Sequence, residues 1–417
     1  MKILVIGEGG REHAIVWSLS KSPKVTKIYC APGNPGIGEI AECVEIKAND
    51  IKALVEFSRE ISVDLTIVGP EEPLVMGIVD AFRKEGLRII GPTKEGAMLE
   101  GSKAFSKRFM EKYKIPTGKY TEVSSYEGGL KSLLNYEYPV VIKADGLAAG
   151  KGVFICGDKQ EAEEALKKIL KDKVFGSSGD RVIVEEYLEG IETSILCFVD
   201  GNRILPMVSS QDHKRIYDGD RGPNTGGMGT YSPNDIYNEE MALDVKEEIL
   251  EPTLYGIQQE GMDYRGIVFI GLMITPQGPK VLEYNVRFGD PETQVVLTRL
   301  ETDLVEILQA TLEKRLKKID ITWKEQAAVC VILASGGYPI EYQRGKEIKG
   351  LESIDTDVMV FHSGTKVIDE KIVTNGGRVL GITALGGNIE KARSKAYRNA
   401  EKIYFEGITY RRDIAQN

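Results

Sequence analysis

The sequence is poor in the features that mark membrane-embedded, disulfide-rich and nucleic-acid-binding proteins. None of its 417 residues belongs to an apolar run of eighteen, and the start, Met1–Gly7, is too short for a signal peptide, so we expect neither a membrane span nor a leader. The five cysteines are scattered without a Cys-x-x-Cys pair, which argues against a zinc site and favours reduced thiols in the cytoplasm. Lys and Arg number 54 against 63 Asp and Glu, and the net charge of -9 gives no support for nucleic-acid binding.

The length and the element pattern predict several domains. A chain of 417 residues is too long for one ordinary core. Near the N-terminus, short apolar strands alternate with helices, which is typical of a parallel sheet with helices on both faces. A compact mixed unit follows over residues 119–190, and the chain ends in a small unit with a hairpin between Lys371–Thr374 and Val379–Ala384. We therefore expect an α/β and α+β multidomain protein, divided into residues 1–102, 103–320 and 321–417.

The first predicted strand is followed by a glycine-rich turn and a helix. The turn is Gly7-Glu8-Gly9-Gly10-Arg11-Glu12-His13, and free N–H groups at such a helix start attract an anion. A nicotinamide dinucleotide site would need a third glycine where this chain has Glu12, and the acidic residue that holds the ribose is missing after the next strand. A phosphate-bearing substrate fits the turn better, while a tight turn without a ligand remains open.

Two further glycine-rich loops are candidates for ligand contacts. Gly146–Gly152 joins two predicted strands, and Lys143 precedes it, so that loop N–H groups and a lysine could both reach a phosphate. It is not a Walker loop, because the Gly-Lys-Ser/Thr pattern is absent and no helix follows. The second loop, residues 218–229, is long, polar and predicted to be structureless, which favours a functional role. The ordinary alternatives are a plain connection and solvated lysines.

The strand Val281–Phe288 carries the most specific pattern, because side chains alternate between the two faces of a strand. The residues predicted to face the core are Leu282, Tyr284, Val286 and Phe288. Glu283, Asn285 and Arg287 then share the opposite face. Mg²⁺ takes carboxylate and amide oxygens, and Arg fits carboxylate or phosphate oxygens. The wet face of an edge strand would look similar, but Asn is a poor strand former and Gly-Asp-Pro-Glu follows at once, which favours a site.

A parallel-sheet domain, a lysine beside a glycine loop and a Glu-x-Asn strand together resemble the ATP-grasp enzymes. Within this superfamily, Arg287-Phe288-Gly289-Asp290-Pro291-Glu292-Thr293-Gln294 is similar to the signature of the phosphoribosylamine–glycine ligase family, also called glycinamide ribonucleotide synthetases. Residues 7–13 and 223–229 resemble the same family. The resemblance implies an ATP-grasp fold with a Rossmann-like N-terminal domain, a mobile lid over residues 119–190 and a small C-terminal domain. It also implies a reaction of purine biosynthesis, in which ATP, glycine and 5-phosphoribosylamine give glycinamide ribonucleotide through glycyl phosphate.

The same resemblance implies roles for individual residues. Glu283 and Asn285 would hold Mg²⁺ or Mn²⁺ on the ATP phosphates. The residues expected to bind ATP are Lys103, Lys143, Glu185, Glu186, Leu188, Glu192 and Lys214, of which the segment 185–188 would contact adenine. The residues expected near the other substrates are Gly9, Gly10, Arg11, Thr225, Gly226, Gly227 and Met228. Asp212 and Arg287 would be catalytic.

Other interpretations remain open at this stage. One is a carboxylate–amine ligase of the same architecture that acts on a different acid, and another is a nucleotide-binding regulator without turnover. Many ATP-grasp members carry a further acidic metal ligand on the preceding strand, but Gly266–Ile274 contains no acid, so the number of metal ions stays open. We expect a monomer that acts on small molecules.

Overall fold

The structure, a computed structural model, describes residues 1–148 and 151–416. Residues 149 and 150, which belong to the predicted loop Gly146–Gly152, therefore lie outside the described residues. Among the helices of the described ranges, none combines the length and the apolar character needed to cross a lipid bilayer.

The N-terminal part contains the predicted parallel sheet. Its strands are β1 Lys2–Gly7, β2 Lys27–Pro32, β3 Glu42–Cys43, β4 Leu65–Val68 and β5 Ile89–Pro92, and its helices are α1 Gly10–Ser20, α2 Pro35–Gly38, α3 Ile51–Glu60, α4 Glu71–Met76, α5 Ile78–Lys84 and α6 Lys94–Gly101. Neighbouring strands are all parallel, in the order β5-β4-β1-β2-β3. Alternate residues of β1 enter two different cores, since Leu4 packs in one and Val5 in the other. Both faces of the sheet are therefore covered, as the apolar strand sequences predict.

The next part is a small antiparallel sheet with its own core. Its elements are α7 Lys103–Lys112, β6 Tyr120–Val123, α8 Tyr126–Ser132, β7 Val140–Ala144, β8 Val153–Cys156, α9 Lys159–Leu166 and β9 Val182–Glu186. The strand order is β6-β9-β7-β8. A separate apolar cluster, which includes Ile142 and Val184, lies between this sheet and helices α8 and α9. We call β6 to β9 with α8 and α9 the lid.

The third part returns to the first sheet. Its elements are β10 Ile191–Val199, β11 Ile204–Pro206, β12 Gln211–Asp212, β13 Arg215–Tyr217, β14 Arg221–Asn224, β15 Gly229–Ser232, α10 Glu239–Val245, α11 Glu251–Gln259, β16 Tyr264–Thr275, β17 Gly278–Asn285, α12 Glu292–Arg299 and α13 Leu304–Leu312. Strand β16 pairs with β10 and β17, and its first residues pair with β5. At that joint an ideal Cβ on Gly266 would lie 2.9 Å from the Cα of Gly91, so both backbones approach closely because neither residue has a side chain. One nine-stranded sheet therefore runs across the predicted boundary at residue 102.

The C-terminal part forms a second sheet, which is antiparallel, together with a helix, as the predicted α+β unit requires. Its elements are β18 Ala327–Ser335, β19 Val358–His362, β20 Thr365–Ile368, β21 Lys371–Thr374, β22 Arg378–Gly386, α14 Ile389–Ala400 and β23 Ile408–Thr409. The strand order is β12-β15-β18-β22-β19, with β23 also on β18. Because β12 and β15 come from before residue 320, this sheet ties the second predicted domain to the third.

The predicted hairpin between residues 371–374 and 379–384 is wrong. Strand β21 pairs with β20 through a tight turn at Asp369 and Glu370, whereas β22 pairs with β18 and β19. The physical reason is burial, since β18 is buried throughout and mostly apolar, most of β22 is buried, and the two strands pair from Ala327 to Ala334. The prediction that the loop 218–229 is structureless is also wrong. Residues 221–224 of this loop form β14, which pairs with β13 just before the loop.

The glycines of the first turn make room for a buried carboxylate. Glu12 is only 2% exposed, and its Oε2 accepts a hydrogen bond from the N–H of Gly9 at 2.6 Å. An ideal Cβ on Gly69 would lie 1.9 Å from Glu12 Oε1, and one on Gly7 would lie 2.5 Å from Glu12 Cγ. The N–H group that a dinucleotide phosphate would use at this turn is therefore bound to a side chain of the protein.

The N-terminal and C-terminal parts are joined by a pair of buried histidines. The Nδ1 atom of His13 accepts a hydrogen bond from the backbone N–H of His362 at 2.9 Å, and the His13 ring packs edge-on against Phe361. Burial, followed by the charge of His362, lowers the pKa of His13 to about 3. His13 is consequently neutral at physiological pH, as an acceptor Nδ1 requires.

Replacing Gly69 by Ala is expected to destabilise the folded chain, because the new methyl group collides with the Glu12 carboxylate. Overpacking of this kind lowers the free energy of unfolding by about 1–3 kcal/mol, measured from the urea denaturation midpoint of the full chain. The control is Gly387→Ala, since a Cβ there meets nothing within 4 Å. Equal midpoints for both variants would show that Glu12 does not fill the turn.

Candidate active site

One cavity of about 590 Å³ lies where the first sheet, the lid and the C-terminal sheet meet. The predicted site residues that line it are Arg11, Lys103, Lys143, Glu185, Glu186, Leu188, Glu192, Asp212, Lys214, Thr225, Gly226, Glu283, Asn285 and Arg287. Gly9, Gly10, Gly227 and Met228 do not line it. The fold therefore collects residues from seven separate stretches of sequence around one space.

The strand β17 presents its polar residues to this cavity, but its alternation is broken once. Glu283 pairs with Gly271 and Val281 with Leu272, so Leu282 is an extra residue in the ladder. The prediction that Leu282 faces the core is wrong, because this bulge turns it to the cavity wall. Tyr284, Val286 and Phe288 are buried as predicted. The bulge also places the carbonyl of Leu282 3.4 Å from Lys143 Nζ.

Glu283 lies among three lysines and an arginine. Burial by itself raises the pKa of this carboxyl, but Lys214, Lys143 and Lys103 outweigh burial and lower the pKa below its usual range. Glu283 is therefore ionised at neutral pH. Burial lowers the pKa of Lys103, and the nearby charge of Glu283 partly opposes this shift.

Arg287 is fixed by two carboxylates of the N-terminal part. Its guanidinium contacts Glu100 Oε1 at 2.8 Å and Glu71 Oε2 at 3.2 Å, and it donates to Asn285 Oδ1 at 2.8 Å. Glu100 also accepts from the N–H of Val286 at 2.7 Å. Burial raises the pKa of Glu100 to about 7, although Arg287 opposes this shift. Glu100 thus has a pKa near neutrality and holds both the side chain of Arg287 and the backbone N–H of Val286, just after β17 ends.

Glu185, at the end of the lid sheet, lies between two lysines. Its Oε2 is 2.6 Å from Lys143 Nζ, and its Oε1 accepts from Lys107, which also donates to Thr117 Oγ1 at 2.7 Å. Burial lowers the pKa of Lys107 to about 8, while Glu185 opposes that shift. Thr117 in turn donates to the carbonyl of Val281 at 2.6 Å. These contacts connect the lid to helix α7 and to strand β17.

Two further acidic residues of the cavity, Glu192 and Asp212, lie beside Lys214. Lys214 pairs with Glu192 at 3.1 Å, and this contact is the main cause that raises the pKa of Lys214. Burial, and then the neighbouring Glu292, raises the pKa of Asp212 well above its usual value. Asp212 Oδ1 is buried and has no hydrogen-bond partner among the described residues. A buried oxygen without a hydrogen-bond partner is suited to accept a hydrogen bond from a ligand, such as one with an ammonium or amine group.

The loop Thr225–Met228 is held close to Asp212 and Lys214. Thr225 Oγ1 donates to the carbonyl of Lys214 at 2.8 Å and accepts from the N–H of Gly227 at 3.0 Å. Gly227 has a φ of +109°, and an ideal Cβ there would lie 2.6 Å from Asp212 Oδ1, so only glycine fits. Met228 is fully buried against Ile216 and Ala334, which leaves its side chain away from the cavity.

At the first turn, only Arg11 of the three predicted residues reaches the cavity. Its Nε contacts Glu12 Oε1 at 2.5 Å and its Nη1 donates to the carbonyl of Phe288 at 3.2 Å. An ideal Cβ on Gly9 would lie 3.6 Å from Asp290 Oδ2, and one on Gly10 would lie 2.6 Å from Ser363 Oγ. Gly9 and Gly10 therefore allow the turn to approach the signature segment and the C-terminal part.

Several cavity residues were missed by the sequence reasoning. They are Glu71, Glu100, Lys107, Asp290, Glu292, Tyr338 and Arg378. Asp290 and Glu292 stand inside the signature and could have been named from it. The others are far from any motif, and Arg378 lies in the C-terminal part, where no local pattern suggested chemistry.

The oxygen donors of β17 fit a divalent ion that is bound partly by other molecules. Glu283 is ionised and Asn285 presents an amide oxygen on the same strand face, and hard cations accept both ligand types. Within residues 1–148 and 151–416, no cluster of three or more His, Cys, Asp or Glu residues could hold a metal alone. Water and phosphate oxygens would have to supply the remaining ligands.

Comparison with known proteins covers the whole chain. Family models described as the phosphoribosylglycinamide synthetase N domain, ATP-grasp (A) domain and C domain match residues 1–100, 101–293 and 328–417. The chain is 55% identical over 415 residues to the phosphoribosylamine–glycine ligase of Caldanaerobacter subterraneus, covering 100% of this chain and 99% of that protein. It is 51% identical to the enzyme of the same name from Clostridium acetobutylicum, with 100% of both chains covered.

A solved structure agrees with these sequence matches. The crystal structure of phosphoribosylamine–glycine ligase from Thermotoga maritima superposes with a TM-score of 0.88 at 36% identity, covering 99% of this chain and 100% of that one. The predicted ATP-grasp resemblance is thus confirmed, and with it the use of ATP and a divalent metal that the family implies. The matches along all three parts, which agree with the signature at residues 287–294, show that the chain belongs to the phosphoribosylglycinamide synthetase family.

Proposed function

We propose that this protein is the ligase that joins glycine to 5-phosphoribosylamine with ATP, giving glycinamide ribonucleotide, ADP and phosphate in purine biosynthesis. The family membership over the full length supports this activity. The observation that carries it is the ionised Glu283, surrounded by Lys103, Lys143 and Lys214 in the cavity that also contains the unpartnered Asp212 oxygen. One side of this cavity is suited to phosphates and the other to an amine.

The reaction follows from the poor reactivity of a carboxylate toward amines. A glycine carboxylate oxygen attacks the γ-phosphorus of ATP, the bond to the bridging oxygen breaks, and ADP leaves. The amine of phosphoribosylamine then attacks the carbonyl carbon of glycyl phosphate, loses a proton and expels phosphate. Such phosphoryl transfer needs mainly positioning and cationic stabilisation, which agrees with the cations along the cavity. A closed lid would protect the acyl phosphate from water.

We assign the ATP side to the lid and its neighbours. Lys103 and Lys143 would contact the phosphates, and the residues assigned to the nucleoside are Glu185, Glu186, Leu188 and Glu192. Lys214, paired with Glu192, would complete this group. Because Lys143 now contacts Glu185, we expect ATP to draw Lys143 toward the phosphates while Lys107 stays paired with Glu185.

We assign the metal to Glu283 and Asn285. Mg²⁺ or Mn²⁺ held there would neutralise phosphate charge and orient the triphosphate. Arg287 would then stabilise the transferring phosphoryl group, since Glu100 and Glu71 fix its position.

We assign the other end of the cavity to glycine and phosphoribosylamine. Asp212 would accept a hydrogen bond from an amino group, and the neighbouring Glu292 would add negative charge beside it. The residues placed around these substrates are Gly9, Gly10, Arg11, Thr225, Gly226, Gly227 and Met228. Met228 could contribute only its backbone, because its side chain is buried.

We also propose that the protein is a cytoplasmic monomer that binds no nucleic acid. The boundaries at residues 102 and 320 remain a prediction, and light scattering on the purified chain tests the monomer.

A product assay tests the proposed activity. ADP and phosphate release is expected to require glycine and phosphoribosylamine together, with Mg²⁺ or Mn²⁺ compared in parallel, and glycinamide ribonucleotide is identified by mass spectrometry. Release with another acid–amine pair, and none with glycine, would favour the alternative ligase. Nucleotide binding without any turnover would favour a regulator.

Replacing Glu283 by Gln is expected to lower kcat by about 100-fold or more, because the reacting phosphates lose a charged positioning group. Binding of ATP, followed by calorimetry, should weaken but persist, since the three lysines remain. The exposed Glu301→Gln serves as the control. Unchanged turnover in Glu283→Gln would remove this carboxylate from the mechanism.

The activity is expected to fall below neutral pH through Glu100. Below about pH 7 this carboxyl takes up a proton in the folded chain and no longer pairs as an anion with Arg287. The value of kcat/KM should therefore drop about tenfold for each pH unit below that pKa. Glu100→Gln should be less active at pH 8 and should lack this acidic limb. An identical pH profile in the variant would assign the limb to another group.

A further inference from the structure

An arginine of the C-terminal part reaches across to the signature segment. Arg378, the first residue of β22, pairs through Nη2 with Asp290 Oδ2 at 3.0 Å and donates through Nη1 to the Asp290 carbonyl at 2.8 Å. The same Nη1 donates to the carbonyl of Gly226. One guanidinium therefore fastens the C-terminal sheet, the loop at Gly226 and the signature to each other.

Both peptide groups of Gly226 are held by side chains of the C-terminal part. Besides the bond from Arg378 to its carbonyl, its N–H donates to the hydroxyl of Tyr338 at 2.9 Å. An ideal Cβ on Gly226 would lie 2.9 Å from Arg378 Cζ, so the guanidinium packs directly on the glycine. These contacts determine where the next residue, Gly227, lies between Asp212 and Pro291.

The positive charge of Arg378 also offsets the negative charge of the acidic residues around it. Asp212, Asp290 and Glu292 lie together, and burial alone would raise the pKa of each of them. For Asp290, Arg378 is the first cation that opposes burial, and the pKa is lowered as a result. Asp290 is further held by Gln294, which donates to Oδ1 at 2.8 Å. Among the described residues, the hydrogen bonds of Arg378 go to the loop and the signature and not to the lid.

We propose that Arg378 is a positioning residue that, with Tyr338, holds the loop Thr225–Gly227 against Asp290 and thereby sets the affinity for glycine and phosphoribosylamine without affecting that for ATP. This role rests on the proposed function. The C-terminal part thus completes the end of the cavity that takes the substrates other than the nucleotide.

Steady-state kinetics of three variants test this role. Arg378→Gln is expected to raise the KM of glycine, phosphoribosylamine or both by about tenfold or more, with the KM of ATP within about twofold, because only the loop end is released. Arg378→Lys keeps the positive charge but loses the two-pronged guanidinium, so its KM values should lie between those of the wild type and Arg378→Gln. Tyr338→Phe should show a smaller shift of the same kind. The control is Arg398→Gln, an exposed arginine on α14 of the same part.

A second measurement does not depend on which substrates the protein uses. Trypsin cleaves after the exposed Arg221, in the segment that leads to Gly226. Arg378→Gln should be cleaved there several times faster than the wild type, and Arg398→Gln at the wild-type rate. If the wild type fails the product assay, the proposed function fails. This measurement still decides whether Arg378 holds the loop Thr225–Gly227 in place.

The proposal is overturned by equal cleavage rates in Arg378→Gln and wild type, or by a rise in the KM of ATP as large as that of the other substrates. If Arg378→Gln does not fold, Tyr338→Phe decides the outcome, because it removes one hydroxyl and no charge.

Discussion

Ionised groups that are removed from water must be balanced by their neighbours, and the cavity of this protein is built on that constraint. Glu283 keeps its charge because three lysines surround it, and Glu185 lies between two lysines. Around Arg378 the balance reverses, since Asp212, Asp290 and Glu292 lie near this one guanidinium. The result is one space in which cations surround Glu283 and acids surround Arg378. A triphosphate and an amine can therefore be directed to different ends without any covalent nucleophile in the protein.

The balance is maintained by parts of the chain that are distant in sequence. Arg287, the first residue of the signature, is held by Glu71 and Glu100 from the N-terminal part, and Asp290 is held by Arg378 from the C-terminal part. Lys107 connects helix α7 with the lid through Glu185. Arg287, Asp290 and Glu185 are thus each held by a contact between two parts of the fold, so the arrangement of the cavity draws on all of these parts.

Much of the local structure could be predicted from the sequence. The alternation in Val281–Phe288 predicted that Glu283, Asn285 and Arg287 share one face, and all three line the cavity, although the strand ends at Asn285. The strand–helix pattern predicted the parallel sheet. The bulge at Leu282 could not be predicted, because it depends on how β17 pairs with β16. The hairpin at residues 371–384 was wrong for a similar reason, since a turn signal is a local preference and the pairing of β22 with β18 is a long-range one.

The candidate site shows the same division between local and long-range information. Residues within motifs, such as Lys143 and Thr225, could be named because their neighbours in sequence identify them. Glu100, Lys107 and Arg378 have no such neighbours, and only the folded chain shows what they contact. Glu12 lies between these cases, because its sequence position argued against a dinucleotide fingerprint but gave no sign that its side chain fills the turn.

The pairing of β5 with the start of β16 bears on how this chain can be divided. Strand β5 has β4 on one side and, over Gly91 and Pro92, β16 on the other. A fragment that stopped at residue 101 would leave that edge open, with unpaired backbone groups available to other molecules. The boundary between two family domains is therefore not a boundary between two independently folding units, and gene fusions or truncations made there would cut through a single hydrogen-bonded sheet.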